Sequence, residues 1–134
     1  MRALLDTSAV IAVVRPDEPT PDLGDLSELA VSTLTWTELA AGLYTPDDAA
    51  AMAVRLDEYA RLRALFVDTL PYHDACVRAY QRILTRVVER GGQPKAHLFD
   101  RMIAATALAF NLPLATRDRG DIRKLAGLIE ILEV

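Results

Sequence analysis

Short apolar runs alternate along this chain with longer stretches in which apolar residues recur every three or four positions. The runs Ala3–Leu5, Leu29–Ser32, Phe66–Leu70, Leu112–Thr116 and Leu128–Leu132 read as buried strands. Ser8–Val14 reads as a short apolar helix, and Thr35–Leu43 as a second helix with Gly42 near its end. Pro46–Leu65 predicts a long helix, with Pro46 in the first turn and a stripe of Met52, Leu56, Tyr59 and Leu62. Asp74–Arg90 predicts another, stopped by Gly91 and Gly92. Leu98–Phe110 carries small apolar residues on most sides and should be buried. Asp121–Ala126 is a short final helix, and the proline-rich Arg15–Pro21 is a loop. Strands and helices alternating from end to end predict an α/β fold. A central parallel sheet of about five strands should carry helices on both faces, as a single domain over residues 1–134.

Composition narrows the class without changing that picture. A chain of 134 residues, 51% apolar and 25% charged, is ordinary for one globular domain. No apolar run approaches the roughly 18 residues of a membrane span, and Asp6 lies too near the start for a secretory signal. The one cysteine, Cys76, excludes an internal disulfide and falls in a helical pattern, so a buried thiol and a cytoplasmic setting are expected. The net charge of −4 argues against a simple electrostatic nucleic-acid binder. Charge is unevenly spread: residues 1–50 hold nine acids against Arg2 and Arg15, whereas 13 of the 15 basic residues follow.

The acids fall at telling places. Asp6 ends the first strand in "MRALLDTSAVI", Glu38 lies in "STLTWTELAAG", Asp100 opens the buried helix in "LFDRMIAATALA", and Asp118 and Asp121 follow the fourth strand in "LATRDRGDI". In a parallel sheet the carboxyl ends of all strands lie on one edge, where ligands bind. Each acid also has a purely structural reading. Asp6 suits a helix N-cap, Thr35-x-x-Glu38 a capping box, Asp100 a first helical turn, and Asp118 and Asp121 a turn. Four or five carboxylates at one edge repel one another unless a cation sits among them. Oxygen-only ligands suit Mg²⁺ or Mn²⁺ rather than zinc. His73, His97 and Cys76 show no zinc-ligand spacing, and both histidines read as surface or packing residues.

The four acidic segments, in this order and spacing from Leu4 to about Leu128, resemble the motifs of PIN domains, most of all the VapC toxins of bacterial toxin–antitoxin pairs. The resemblance implies a PIN-like fold, Mg²⁺-dependent endoribonuclease activity with Mn²⁺ as an alternative ion, a cognate VapB-type antitoxin and a homodimer. It implies Asp6 and Asp100 as principal metal ligands, Glu38 as a further acid, and either Asp118 or Asp121 as the fourth. Relatives often carry Asn where Asp118 stands, which favours Asp121 as the more sensitive of the two. Where the motif ends in Phe, this chain has Ile122.

In such a reaction a bound ion polarises the phosphodiester and activates water, and Glu38 or Asp118 takes the proton. The implied products are a 3′-hydroxyl and a 5′-phosphate. Thr7, Ser8 and Thr116 are expected to touch phosphate or orient Asp6, and Arg101, Arg117 and Arg119 to bind substrate phosphates, with Lys95, Arg123 and Lys124 nearby in sequence. Arg78, Arg82, Arg86 and Arg90 form a stripe that is either a solvated face or a phosphate track. Trp36 either stacks a base or fills the core. Apolar residues of the Leu39–Leu65 helices exceed what one small core buries, so some should face an antitoxin segment or a second copy. The rival reading is a catalytically silent module that binds RNA or protein. A dehalogenase-like phosphotransferase is disfavoured because Ser8 stands where its second Asp belongs. A dinucleotide-binding domain is excluded because no glycine-rich loop follows the first strand.

Overall fold

The computed structural model describes residues 1–118 and 120–134. Five strands form one sheet: β1 (Arg2–Leu5), β2 (Glu28–Ser32), β3 (Asp68–Leu70), β4 (Leu114–Thr116) and β5 (Ile131–Glu133), in the order β3-β2-β1-β4-β5. Every pairing is parallel. The helices are α1 (Thr7–Ala12), α2 (Thr33–Gly42), α3 (Ala49–Leu65), α4 (Asp74–Glu89) and α5 (Leu98–Ala109), followed by a short 3-10 helix over Asp121–Leu125. Among the described residues no helix is long and apolar enough to cross a membrane.

Period-two alternation along β1 divides the core between the two faces of the sheet. Leu4 points to one side with Ala30 and Leu114, and meets Ala79, Ile83 and Val87 of α4 and Ile103, Ala104 and Ala107 of α5. Ala3 and Leu5 point to the other with Val31 and Ala115, against Ala9 and Val10 of α1, Trp36 of α2 and Leu62 of α3. The alanines of α5 let that helix pack closely against α4, which is why its sequence is small and apolar on most sides. Ile83 is fully buried in the α4–α5 layer. Ile83→Ala should cost about 2–5 kcal/mol in urea unfolding. A loss below about 1 kcal/mol would show that layer to be loosely packed.

Several boundaries differ from those the sequence predicts, each for a local reason. The second helix begins at Thr33 because Ser32 caps it, its hydroxyl accepting from the Leu34 N–H at 3.0 Å. α3 starts at Ala49 rather than Pro46, since Asp48 accepts from the Ala51 N–H at 2.7 Å. Of its predicted stripe only Leu62 is buried, and Leu56 is 43% exposed. Phe66 closes α3 instead of opening β3. β4 and β5 are shorter than predicted: Pro113 lacks a ladder donor, and Leu128 precedes the pairing that starts at Ile131.

β1 is the central strand, with β2 on one side and β4 on the other. The chain leaves β1 towards β2 and leaves β4 towards β5, so the two connections diverge. That divergence opens a crevice at the carboxyl ends of β1 and β4.

Candidate active site

Asp6 stands in that crevice as the residue after β1, only 7% exposed. Its backbone N–H donates to the Ala115 carbonyl at 3.0 Å, continuing the β1–β4 ladder by one step. Its carboxylate is held by three donors. Oδ1 accepts from the Ser8 hydroxyl at 2.7 Å and from the Ala9 N–H at 3.0 Å, and Oδ2 accepts from the Thr116 hydroxyl. Asp6 is therefore both the N-cap of α1 and a fixed acid at the switch point. Burial pushes its carboxyl above the ordinary aspartate value, against the pull of those hydrogen bonds and with help from the charge of Asp118.

Glu38 is not part of a capping box. Ser32 caps α2, and Thr35 lies inside the helix, fully buried. Instead Glu38 Oε1 accepts from the Thr7 hydroxyl at 2.8 Å, and the Thr7 and Thr35 hydroxyls lie 3.1 Å apart. Burial raises the Glu38 carboxyl, the Thr7 hydroxyl opposes it, and the charges of Asp100 and Asp6 add to it. Asp100, in the first turn of α5, takes no hydrogen bond or ion pair from the described residues. Burial raises its carboxyl too; Asp6 and Asp118 raise it further, His97 opposes, and Asp121 adds a smaller push. Acids carried by three different elements have thus been brought within electrostatic reach of one another.

The remaining two acids part company. Asp118 sits on the turn after β4: its N–H donates to the Thr116 hydroxyl at 2.9 Å and its Oδ1 accepts from the Gly120 N–H at 2.7 Å. Its charge bears on both Asp6 and Asp100. Asp121 instead forms a two-pronged ion pair with Arg101, Nε to Oδ2 at 3.0 Å and Nη2 to Oδ1 at 2.9 Å. Burial alone would raise Asp121, but the Arg101 guanidinium, with His97 and Lys124, brings it below the ordinary value. Both Asp121 oxygens are thus engaged by Arg101, whereas Asp118 carries no such ion pair among the described residues.

The hydroxyls and cations are also redistributed. Thr7 donates to Glu38, and Ser8 and Thr116 donate to Asp6. Each single hydroxyl proton is spent on a carboxylate, so in this arrangement these side chains orient acids. Arg101, expected at phosphate, is 2% exposed and committed to Asp121 and to the Gln93 carbonyl. Arg117 donates to the Pro19 carbonyl, and its Nε is buried without an acceptor among the described residues. Arg119 lies outside the described residues. Arg123 pairs with Glu133. Of the stripe on α4, Arg78 pairs with Asp74 and Arg90 donates to the Lys124 carbonyl at 2.6 Å, so two of the four have local partners. Trp36 is core: it is 4% exposed, its Nε1 donates to the Thr69 hydroxyl at 3.1 Å, and the Arg63 guanidinium covers its ring at 4.8 Å. Thr35 was not anticipated as a site residue. Its signal was present in the sequence, since spacing i, i+3 puts it on the same helix face as Glu38.

The donor chemistry fits a hard divalent cation: the converging groups are all carboxylate oxygens, desolvated and mutually repelling. As the side chains stand, no three acidic, histidine or cysteine groups among the described residues close tightly around one point.

A five-stranded parallel sheet with acids gathered at its central switch point defines an α/β protein with a carboxylate-lined crevice. The chain belongs to the PIN domain family, whose model matches residues 3–128. It is 34% identical over 105 residues to Ribonuclease VapC8 of Mycobacterium tuberculosis, covering 78% of this chain and 88% of that protein. It is 26% identical over 134 residues to Ribonuclease VapC of Rickettsia bellii, covering 100% and 97%. A crystal structure of a member of the VapBC family of toxin-antitoxin systems, VapBC-5 from Mycobacterium tuberculosis, superposes with a TM-score of 0.82 at 28% identity, over 99% of this chain and 98% of that one. The fold and the family are those that the four acidic segments imply.

Proposed function

We propose that this chain is a Mg²⁺- or Mn²⁺-dependent endoribonuclease and the toxin of a toxin–antitoxin pair. The observation that carries the reading is the set Asp6, Glu38 and Asp100: three buried or half-buried carboxylates at one sheet edge, each with its proton affinity raised by burial and by neighbouring acids. Likeness to proteins named ribonucleases supports RNA as the substrate class.

Asp6, Asp100 and Asp118 would hold the ion, with Glu38 beside them. When bound, the ion neutralises charge developing on the phosphoryl oxygens and lowers the pKa of a water. The chain's own work is positional and acid–base. Ser8, Thr116 and the Ala9 N–H fix the rotamer of Asp6, so the ligand sits on a rigid strand end. Thr7 holds one oxygen of Glu38 and leaves the other for a proton. The raised proton affinity of Glu38 suits it to take that proton from the attacking water. In-line attack then leaves a 5′-phosphate and a 3′-hydroxyl. Arg117, whose backbone N–H donates to the Ser8 hydroxyl beside Asp6 at 3.2 Å, is the residue proposed to meet substrate phosphate.

A VapB-type antitoxin is the proposed partner, on the strength of the toxin–antitoxin complex that the fold resembles. A small pocket between α1, α2 and α3, lined by Ile11, Val14, Leu39, Leu43, Tyr59 and Leu62 together with Arg15, Arg55 and Glu58, is proposed to receive an apolar side chain of such a protein. Val54, Leu56 and Leu65 on α3 are 57%, 43% and 60% exposed, matching the apolar excess the sequence predicts. A homodimer and a cytoplasmic location belong to the same proposal.

An ion that binds only the folded chain stabilises it by mass action. At a hundredfold excess over its dissociation constant, Mn²⁺ should add about 2.7 kcal/mol relative to EDTA. That corresponds to a rise of about 10 °C in melting temperature for a chain of this size. Cleavage of a mixed RNA pool should follow the same metal titration. An unchanged melt together with absent cleavage would favour the silent binding module instead, and cleavage that persists in EDTA would overturn the metal dependence.

A further inference from the structure

The mechanism above makes no use of the most buried ion pair in the described molecule. The Arg101 and Asp121 side chains are 3% and 9% exposed and joined by two parallel hydrogen bonds. The third arm of the guanidinium, Nη1, donates to the Gln93 carbonyl at 2.6 Å. Three segments therefore meet on one side chain. They are the first turn of α5, where Arg101 follows Asp100; the connection after β4, which carries Asp118 and then Asp121; and the stretch 91–97 that leads into α5. The backbone bonds of that stretch reach only to its sequence neighbours: Gly91 to Val88, Gly92 to Val87 and Ala96 to Gln93. His97 enters the helix in the left-handed region (φ 54°, ψ 42°) and supplies no side-chain cap.

We infer that the Arg101–Asp121 pair is a positioning clamp: it sets Asp100 against Asp118, and by doing so withdraws Asp121 from the ion. The inference rests on the metal-dependent nuclease reading. A two-pronged guanidinium–carboxylate contact fixes angle as well as distance, which a single point contact or an apolar patch does not. The adjacent residues Asp100 and Arg101 divide the labour. Asp100 is left without a partner among the described residues at the acid cluster, while Arg101 turns into the protein and ties down the loop bearing the other acid. A pair serving stability alone would be replaceable by apolar side chains of similar volume without loss of function.

The test uses R101M/D121L, R101K, R101M and D121N in the full chain. Mn²⁺ binding is read by calorimetry, kcat and KM on an RNA substrate, and folding by thermal melts. R101M/D121L removes both buried charges together and should fold. Its Mn²⁺ dissociation constant should rise and its kcat fall by roughly 10- to 100-fold, the usual range for groups that hold ligands in place, with KM little changed. R101K, keeping the charge without the fork, should recover part of both. The clamp is overturned if folded R101M/D121L binds Mn²⁺ and cleaves like the wild type. It is also overturned if R101K is fully active while the double variant fails to fold, which makes the pair merely structural. R101M that binds Mn²⁺ normally while D121N does not would make Asp121 itself a ligand and also overturn it. Wild-type protein that neither binds Mn²⁺ nor cleaves RNA removes the nuclease reading and the clamp together; an active wild type with indistinguishable variants removes only the clamp.

Discussion

Asp100→Asn should reduce metal-dependent RNA cleavage by at least about a hundredfold, more than is usual for losing an outer-shell partner alone. At the same time the EDTA-treated protein should melt higher than the wild type at neutral pH. The opposite signs have one cause. The Asp100 carboxyl is raised by burial and by the charges of Asp6 and Asp118, and His97 offsets only part of that rise. A carboxyl whose folded pKa lies above its unfolded value binds more protons in the folded state between the two. Stability then falls as pH rises through that window and stays reduced above it. The window opens near pH 4, the unfolded aspartate value, and extends upward. The stability difference between Asp100→Asn and wild type should accordingly be near zero at its lower end, grow with pH, and level off. Added Mn²⁺ should shrink or reverse it, because the wild type alone keeps a full ligand set. Melts in EDTA and in Mn²⁺ across pH 4–8, with cleavage assays alongside, measure all of this. An Asp100→Asn protein that is less stable in EDTA yet fully active would show the residue to be an ordinary helix-start charge.

Asp121→Leu should produce the largest loss of stability among the acid substitutions, about 3–5 kcal/mol in urea unfolding. It leaves the Arg101 guanidinium 2% exposed with only the Gln93 carbonyl as acceptor. The pH signature is the reverse of that of Asp100. Because Asp121 is held below its ordinary value, its contribution is present above about pH 4 and is lost as pH falls through the lowered folded value. Asp121→Leu and wild type should therefore converge in acid and diverge towards neutrality, with the wild type the more stable. Restoring a neutral interior with R101M/D121L should recover most of the loss. Failure to recover it would mean that the destabilisation comes from packing around the introduced leucine rather than from an unpaired charge.

The acids of this protein were visible in the sequence, but their division of labour was not. Apolar runs and helical periodicity were enough for five parallel strands and covering helices, because burying an apolar stripe leaves few architectures. The strand-end placement of Asp6 followed from that pattern, as did that of Glu38, Asp118 and Asp121 after other strands; Asp100, which opens a helix, joins the edge only through the packing of α5. Hydrogen-bond partners distant in the chain were not legible. Thr116 lies 110 residues from the Asp6 it holds, and Thr7 lies 31 from Glu38. Local pattern carries no record of such pairings. The same blindness made Thr35-x-x-Glu38 look like a capping box, whereas Ser32 caps the helix and frees Glu38 for the site.

What the sequence determined by itself was the alternating α/β order, the family resemblance and the list of acids, since these depend on spacing along the chain. What only the tertiary structure decided was which charges are spent on one another. Arg101 and Asp121 stand 20 residues apart and, read singly, are a phosphate-binding cation and a catalytic acid. Packing α5 against the loop after β4 buries both, and a buried charge must find its opposite. That pairing removes Arg101 from the expected phosphate contacts and Asp121 from the expected ligands, leaving Asp6, Glu38, Asp100 and Asp118 as the candidate working set.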